Sequence, residues 1–290
     1  MDLTTFSSKA EAFRVLGVMI SRPGRETVSR FWDDACRRNI YSASKTYTAL
    51  AVGIAIREGL LSLDEKLTDA FPKEIPVNPC ENLRRATVRD LLTMCLGQAK
   101  PFLMGADRCV MEEEDWVRAS LAQPFEYEPG TRFVYNNVGP YLAGILVQRR
   151  AGCDLVSYLQ PRLFEPMGIR RPTWETDPQG NTFGAGGLML TLPEMHKLGL
   201  LFHQKGEWNG RQLISPLWLE ECSRKQVENG RQGYGYLMWR GEHDSYRADG
   251  KYGQLSIVFP DRDAVVSLQC ECRDTAALFR AIYDDIYPQL

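Results

Sequence analysis

The amino-acid sequence predicts an α+β fold, and three observations carry that prediction. Strand-like runs lie near both ends of the chain, at residues 15–20 and at 254–259 with 264–269. A helix that is apolar almost all round occupies residues 43–58. From about residue 60 to 172 helix signals dominate, so strands and helices are segregated rather than alternating. That segregation argues for one antiparallel sheet built from both chain ends and flanked by terminal helices, with a mostly helical region inserted. The chain is read as one domain, 1–290, in which 1–41 and 173–290 form the α/β part and 42–172 the mostly helical part.

The elements follow in order. Residues 5–14 suit a short amphipathic helix, 15–20 a strand, 21–24 (Ser-Arg-Pro-Gly) a turn, and 26–32 the returning strand. The 43–58 helix carries Leu50, Ala51, Val52, Ile54, Ala55 and Ile56 on all its sides, which predicts burial, and Gly59 stops it. Thr87 to Asp90 offers a cap before Leu91 and Leu92. The acidic run Glu112 to Asp115 opens another helix, where negative charge suits the positive helix end. Pro129-Gly130 marks a turn, and 141–149 and 155–163 read as helices. After residue 173 turns multiply, with four glycines between 180 and 187. Strands are expected at 234–239, 254–259 and 264–269, with a turn at 260–263 and a closing helix over 275–287.

Composition narrows the function. The 290 residues are 44% apolar and 25% charged, ordinary for a globular protein. The net charge of −2 leaves no electrostatic footprint for nucleic acid or an anionic membrane. The longest apolar run, 49–56, is closed by Arg57 and falls far short of the roughly 20 residues a membrane span needs. Asp2, Lys9 and Glu11 interrupt the N-terminal stretch, so no signal peptide is read and a cytoplasmic address is expected. Eight cysteines include no Cys-x-x-Cys pair; Cys270 and Cys272 would make half a metal site, but no His lies nearby in sequence, and free thiols are expected. Only three histidines exist, at 196, 203 and 243, and no Gly-x-Ser-x-Gly elbow or phosphate loop, which argues against a Ser-His-Asp triad.

What remains is a serine and a lysine three apart, Ser42-Ala-Ser-Lys45, at the entrance of the buried helix. Positions i and i+3 share a helix face, so hydroxyl and amine can meet. A serine needs a base to become a nucleophile, and a lysine can be that base only when burial keeps it neutral. Chance alone yields on the order of one Ser-x-x-Lys in a chain this long, so position, not occurrence, makes this one interesting. Tyr135 and Asn137, two apart in a loop after Pro129-Gly130, can point the same way, the phenol to pass a proton and the amide to orient a carbonyl or the lysine. Asp249-Gly250-Lys251 leads toward the 254–259 strand, and its glycine lets backbone approach closely; a backbone N–H there and that of Ser42 could hold an oxyanion.

These pieces, in this order, resemble the serine β-lactamase and penicillin-binding-protein superfamily, closest to its class C-like branch of esterases, DD-peptidases and 6-aminohexanoate-dimer hydrolases. The resemblance covers nearly the whole chain and includes residues 87–93, 129–137, 163–168, 186–188, 206–210 and 233–236. It implies a β-lactamase/transpeptidase-like fold. It implies Ser42 as acyl-enzyme nucleophile, Lys45 as general base and Tyr135 as proton shuttle. Asn137 would bond the acyl amide or Lys45, and the N–H groups of Ser42 and Lys251, beside Gly250, would hold the oxyanion. No metal or organic cofactor is implied, and the partner is a small-molecule ester, amide or β-lactam substrate.

Two departures redirect the reading. The family's "HTSG" segment is Met94-Cys95-Leu96-Gly97 here, and its Lys-Thr-Gly or His-x-Gly triplet is Ala248-Asp249-Gly250. The cation that often grips a β-lactam carboxylate is gone; Arg247 or Lys251 could compensate, although alternation along a strand turns at least one of them away. Hydrolysis of small esters or amides is therefore expected ahead of β-lactamase or DD-peptidase action. A catalytically inactive binding module is the alternative of another class, and acyl transfer would use the same residues as hydrolysis. Trp174, Trp239, Tyr236 and Tyr252 are candidates for pocket walls, with core packing expected for most.

Overall fold

A computed structural model describes all residues, 1–290. The chain opens with helix α1 (Thr4–Ser8), strands β1 (Val15–Ser21) and β2 (Val28–Phe31), and the two-residue β3 (Arg38–Asn39). The helical region follows: α2 (Ser44–Arg57), α3 (Leu67–Ala70), α4 (Glu81–Arg85), α5 (Val88–Leu92), α6 (Gly105–Arg108), α7 (Trp116–Leu121), α8 (Val138–Ala151) and α9 (Leu155–Leu159). Then come β4 (Met189–Leu190), α10 (Leu192–His203), the small hairpin of β5 (Glu207–Trp208) and β6 (Arg211–Gln212), and α11 (Pro216–Ser223). The chain closes with β7 (Trp239–Arg240), β8 (Tyr246–Gly250), β9 (Gln254–Phe259), β10 (Ala264–Cys270) and α12 (Thr275–Ala281).

The main sheet has six strands in the order β2-β1-β10-β9-β8-β7, with every pairing antiparallel. β1 meets β10 with Val18 opposite Leu268 and Ile20 opposite Val266, so the two chain ends share the sheet centre. β9 and β10 are buried along their whole length, because both sheet faces are covered. On one face Leu255, Ile257, Val266 and Leu268 pack with Phe6, Leu278, Ile282 and Ile286. The opposite face joins the larger core, in which Val258 and Val265 lie with α10 and the helical region.

Helix α2 is the axis of that region. Every residue from Ser44 to Ala55 is buried, and its polar side chains each tie a different segment. Thr46 donates to Leu237 O (3.1 Å) and Thr48 to Gly184 O (2.8 Å), while Ser44 Oγ accepts from Leu188 N–H (3.1 Å). Gly59, at φ +74°, ends it: its N–H reaches Ile56 O (3.0 Å) and the Leu60 N–H reaches Ala55 O (2.8 Å). The cap expected at Thr87 forms, with the Asp90 carboxylate accepting from the Thr87 N–H at 2.8 Å, and Asp115 caps α7 by accepting from the Arg118 N–H.

Several boundaries are corrected. The expected strand at 234–239 is a turn for most of its length. Leu237 sits at φ +53° and the Gly235 N–H bonds Met238 O, so only Trp239–Arg240 is strand. Its apolar run reflects burial of Tyr234, Tyr236, Leu237 and Met238 on several sides, not a pleated face. The first helix is shorter than 5–14. The 155–163 and 275–287 helices pass into widened turns at Gln160–Phe164 and Ile282–Ile286, next to Pro161 and Pro288, which donate no N–H.

His196 on α10 is a buried polar link between helix and sheet. Its Nε2 is 2.8 Å from Ser21 Oγ and its Nδ1 is 2.9 Å from Ser267 Oγ. Burial lowers its pKa from 6.5 to about 4, so the fold holds it neutral. A depressed folded pKa means the unfolded chain binds the extra proton between pH 6.5 and 4; the associated stability is present above pH 6.5 and lost as pH falls toward 4. Between pH 7 and 4.5, urea unfolding of the wild type should lose about 2 kcal/mol more than that of His196→Asn. Equal acid losses in the two proteins would contradict this.

Candidate active site

The site is built on the turn that enters α2. Ile40 N–H bonds Leu188 O (3.0 Å), Tyr41 N–H bonds Asn39 Oδ1 (2.7 Å), and a 3₁₀ turn over Tyr41–Ala43 delivers the chain into the helix. Tyr41 is held at φ +47°, a backbone conformation that costs energy for a tyrosine and here sits one residue before Ser42. Ser42 is half-buried, and every residue from Ala43 to Ala55 behind it is buried.

Lys45 is 1% exposed, and its Nζ has three neighbours: Asn137 Oδ1 at 2.6 Å, Ala185 O at 2.7 Å and Ser42 Oγ at 3.1 Å. Burial pulls its pKa from 10.5 down to about 7, and the positive charge of Arg108 adds to that shift. The i, i+3 spacing thus does bring hydroxyl and amine within hydrogen-bond distance. Neither the Ala185 carbonyl nor Arg108 follows from the sequence motifs. A backbone acceptor leaves no side-chain signature, although glycines stand on either side of Ala185.

Asn137 stands at the start of α8. Its Nδ2 donates to Leu103 O (2.9 Å), which aims Oδ1 at Lys45, and its N–H bonds Phe102 O (3.3 Å). Tyr135 is half-buried, with its ring centroid 5.1 Å from Lys45 Nζ. Burial raises the phenol pKa well above its ordinary value and the Asp249 charge adds to this, while the Ser42 hydroxyl acts the other way. The ring stacks obliquely on Trp239, with centroids 5.3 Å apart, and edge-on to Tyr234 at 6.5 Å. Phe133 completes this aromatic wall, 5.2 Å from Tyr234. Of the other aromatic candidates, Tyr236 is buried and accepts from Arg89, and Trp174 donates to Gly186 O; both serve the core.

Strand β8 closes the other side. A methyl group on Gly250 would lie 2.1 Å from Ile40 O, so only glycine lets this strand lie against the Ser42 turn. Gly250 and the backbone that continues into Lys251 therefore run alongside Ser42. Arg247 and Asp249, two apart on the strand, face the same way and form an ion pair at 2.9 Å. Arg247 is thus committed to neutralising Asp249. Lys251 lies beyond the strand with its ammonium 4.8 Å from the Tyr252 ring, and Ala248 is buried in the core.

A Ser-x-x-Lys turn lodged between an antiparallel sheet and a helical region, with a Tyr-x-Asn loop facing it, is the arrangement of the serine β-lactamase and penicillin-binding-protein class. The chain belongs to the Beta-lactamase family, whose sequence model matches residues 7–283. A solved structure from Bacillus anthracis, assigned provisionally as a 6-aminohexanoate-dimer hydrolase, superposes with a TM-score of 0.82 at 17% identity, covering 98% of this chain and 81% of that one. Among curated proteins, monacolin J acid methylbutanoyltransferase of Aspergillus terreus is 30% identical over 162 residues, 49% of this chain and 38% of the relative. Lovastatin esterase of Penicillium rubens is 31% identical over 151 residues, 44% of this chain and 37% of the relative. The matches thus span well under half the length of these curated relatives.

No helix is long and apolar enough to cross a membrane, and all eight cysteines are free thiols.

Proposed function

We propose that residues 1–290 form one catalytic domain, a serine hydrolase that cleaves small esters or amides through an acyl-enzyme on Ser42. The observation that carries this is the bonding of Lys45. A neutral amine has two N–H donors and one lone pair. Asn137 Oδ1 and Ala185 O, at 2.6 and 2.7 Å, take the two donors, which leaves the lone pair for the Ser42 hydroxyl at 3.1 Å. A pKa of about 7 keeps a large share of Lys45 in that form at neutral pH.

In the reaction Ser42 Oγ attacks the acyl carbon while its proton passes to Lys45 Nζ. The resulting oxyanion is held by the N–H groups of Ser42 and Lys251. When the bond to the leaving group breaks, Tyr135 gives its proton to that group and takes one back from the Lys45 ammonium, so the serine proton ends on the leaving group. Water repeats the sequence on the acyl-enzyme. The high pKa of Tyr135 fits this role, because the phenol stays protonated at neutral pH. The aromatic wall of Phe133, Tyr135, Tyr234 and Trp239 favours an apolar acyl or alcohol group, and the curated relatives named an esterase and an acyltransferase fit both fates of the acyl-enzyme. With Ala248 buried and Arg247 spent on Asp249, no strand cation is free for a β-lactam carboxylate, which ranks β-lactamase and DD-peptidase action second.

Intact-mass spectrometry after fluorophosphonate treatment tests the proposal. One adduct mapping to Ser42 and absent from Ser42→Ala is expected; an unlabelled wild type at long times would leave the binding-module reading in its place. A second test concerns Gly250→Ala. The added methyl must push β8 away from Ile40, and a displacement near 1 Å at the oxyanion donors should lower kcat/KM roughly 10²-fold. Wild-type kcat/KM in that variant would show that the strand does not position the reacting group.

A further inference from the structure

The two acceptors that hold Lys45 are both governed by one short segment of the helical region, residues 102–108. Phe102 O and Leu103 O take the N–H and the Nδ2 of Asn137, which turns Asn137 Oδ1 toward Lys45. Further along, Arg108 at the end of α6 reaches the loop that presents Ala185 O. Its Nη1 donates to the Glu175 carboxylate, and its guanidinium lies over Phe183, 4.3 Å from the ring centroid.

Glu175 is the staple of that loop. Its N–H bonds Gly187 O (3.1 Å) and its carbonyl accepts from the Phe183 N–H (2.8 Å), so its backbone closes both ends of 183–187. A methyl group on Gly187 would lie 2.2 Å from Glu175 Cβ, so the loop rests directly against it. Thr48 and Trp174 hold the carbonyls of Gly184 and Gly186, and that of Ala185 between them goes to Lys45. Arg108 therefore grips the loop at its staple and at its first residue.

Packing alone gives little reason for an arginine here. Its side chain is 20% exposed, its Nε is buried without a hydrogen-bond partner, and Phe183 and Trp116 offer it rings instead of acceptors. Burying a guanidinium in this way is costly, and an apolar side chain would cover the two rings without that cost. What an apolar side chain would not supply is the bond to Glu175 and a positive charge near Lys45. The groups that face Lys45 are Ser42 from its own helix, Tyr135 and Asn137 from the loop before α8, and Ala185 O; Arg108 is the charged side chain that acts on it.

We propose that Arg108, together with Glu175, is a positioning residue for the acyl chemistry, an inference that rests on the base role proposed above for Lys45. The pair clamps the 183–187 loop so that Ala185 O keeps one Lys45 N–H and the lone pair stays on Ser42.

The rate at which a fluorophosphonate labels Ser42, followed by intact mass from pH 5.5 to 9, tests this. Arg108→Met should be labelled roughly tenfold more slowly on the alkaline plateau. Its pH midpoint should rise by roughly half a unit, since the cation that disfavours the ammonium is gone. Arg108→Lys restores the charge and can reach Glu175, so it should return the midpoint to the wild-type value and recover most of the rate. Glu175→Gln should slow labelling roughly fivefold, and Arg108→Met/Glu175→Gln should be no slower than Arg108→Met, because the two act as one unit. A wild-type plateau and midpoint in Arg108→Met, a lysine variant that keeps the raised midpoint, or losses that multiply in the double variant would each overturn the proposal. Should near-ultraviolet circular dichroism show Arg108→Met unfolded, Glu175→Gln decides, and labelling at the wild-type rate in that variant would overturn the proposal. A wild type that is never labelled brings down the hydrolase reading and this inference with it; a labelled wild type with unaffected variants brings down this inference alone.

Discussion

Lys45→Met will lower kcat/KM for an activated ester roughly 10³-fold or more, with Ser42 still in place. Methionine fills the same buried channel but offers no basic group to take the serine proton. The wild-type rate carries the matching signature. With a pKa of about 7, kcat/KM should rise tenfold per pH unit below neutrality and level off above it, because only the neutral amine is a base. The sign follows from the direction of the shift: desolvation and Arg108 both disfavour the ammonium, so the base is unmasked well below the ordinary lysine range. A rate profile that stays flat from pH 6 to 9 would remove Lys45 from this role. Near-ultraviolet circular dichroism of the variant separates lost chemistry from lost fold.

Tyr135→Phe should reveal itself through the leaving group. The phenyl ring keeps its packing on Trp239 and Tyr234, so the aromatic wall survives, and what is lost is one hydroxyl, the proposed proton carrier. A p-nitrophenolate departs without protonation, so its ester should lose less than about tenfold. An alkyl ester or an amide needs the proton and should lose roughly 10²–10³-fold, within the usual range for general acid catalysis. Steady-state kcat/KM for p-nitrophenyl acetate beside ethyl acetate or an anilide measures the contrast. A uniform loss across leaving groups would assign Tyr135 to binding instead of proton transfer.

The parts of this molecule legible from its residues are those where one physical requirement dominates. Helix α2 shows itself because it is buried on all sides, and β9 and β10 because covered strands are continuous apolar runs. Ser42, Lys45, Tyr135 and Asn137 stand out because the proposed acyl transfer to serine would need those groups at those spacings, and the fold gathers them. What stayed hidden depends on partners distant in sequence. The apolar stretch from Tyr234 to Met238 is indistinguishable from a strand until Phe133 and Tyr135 are known to pack on it. Arg38–Asn39 and Met189–Leu190 are too short for any periodicity, so their pairing is visible only in three dimensions. β8 has no apolar run to announce it, because Arg247 and Asp249 neutralise each other on one of its faces.

The pairing of Val18 with Leu268 has a consequence for how the molecule is made. β1 has its partner on each side, yet one of them, β10, is synthesised about 250 residues later. During translation the apolar strand β1, paired only with β2, therefore waits with one edge unsatisfied while the helical region emerges. Contacts this far apart in sequence slow folding, and an open apolar edge invites pairing with other chains. Sheet closure therefore waits for β10, and holding chaperones that shield the hairpin should raise the yield of folded protein.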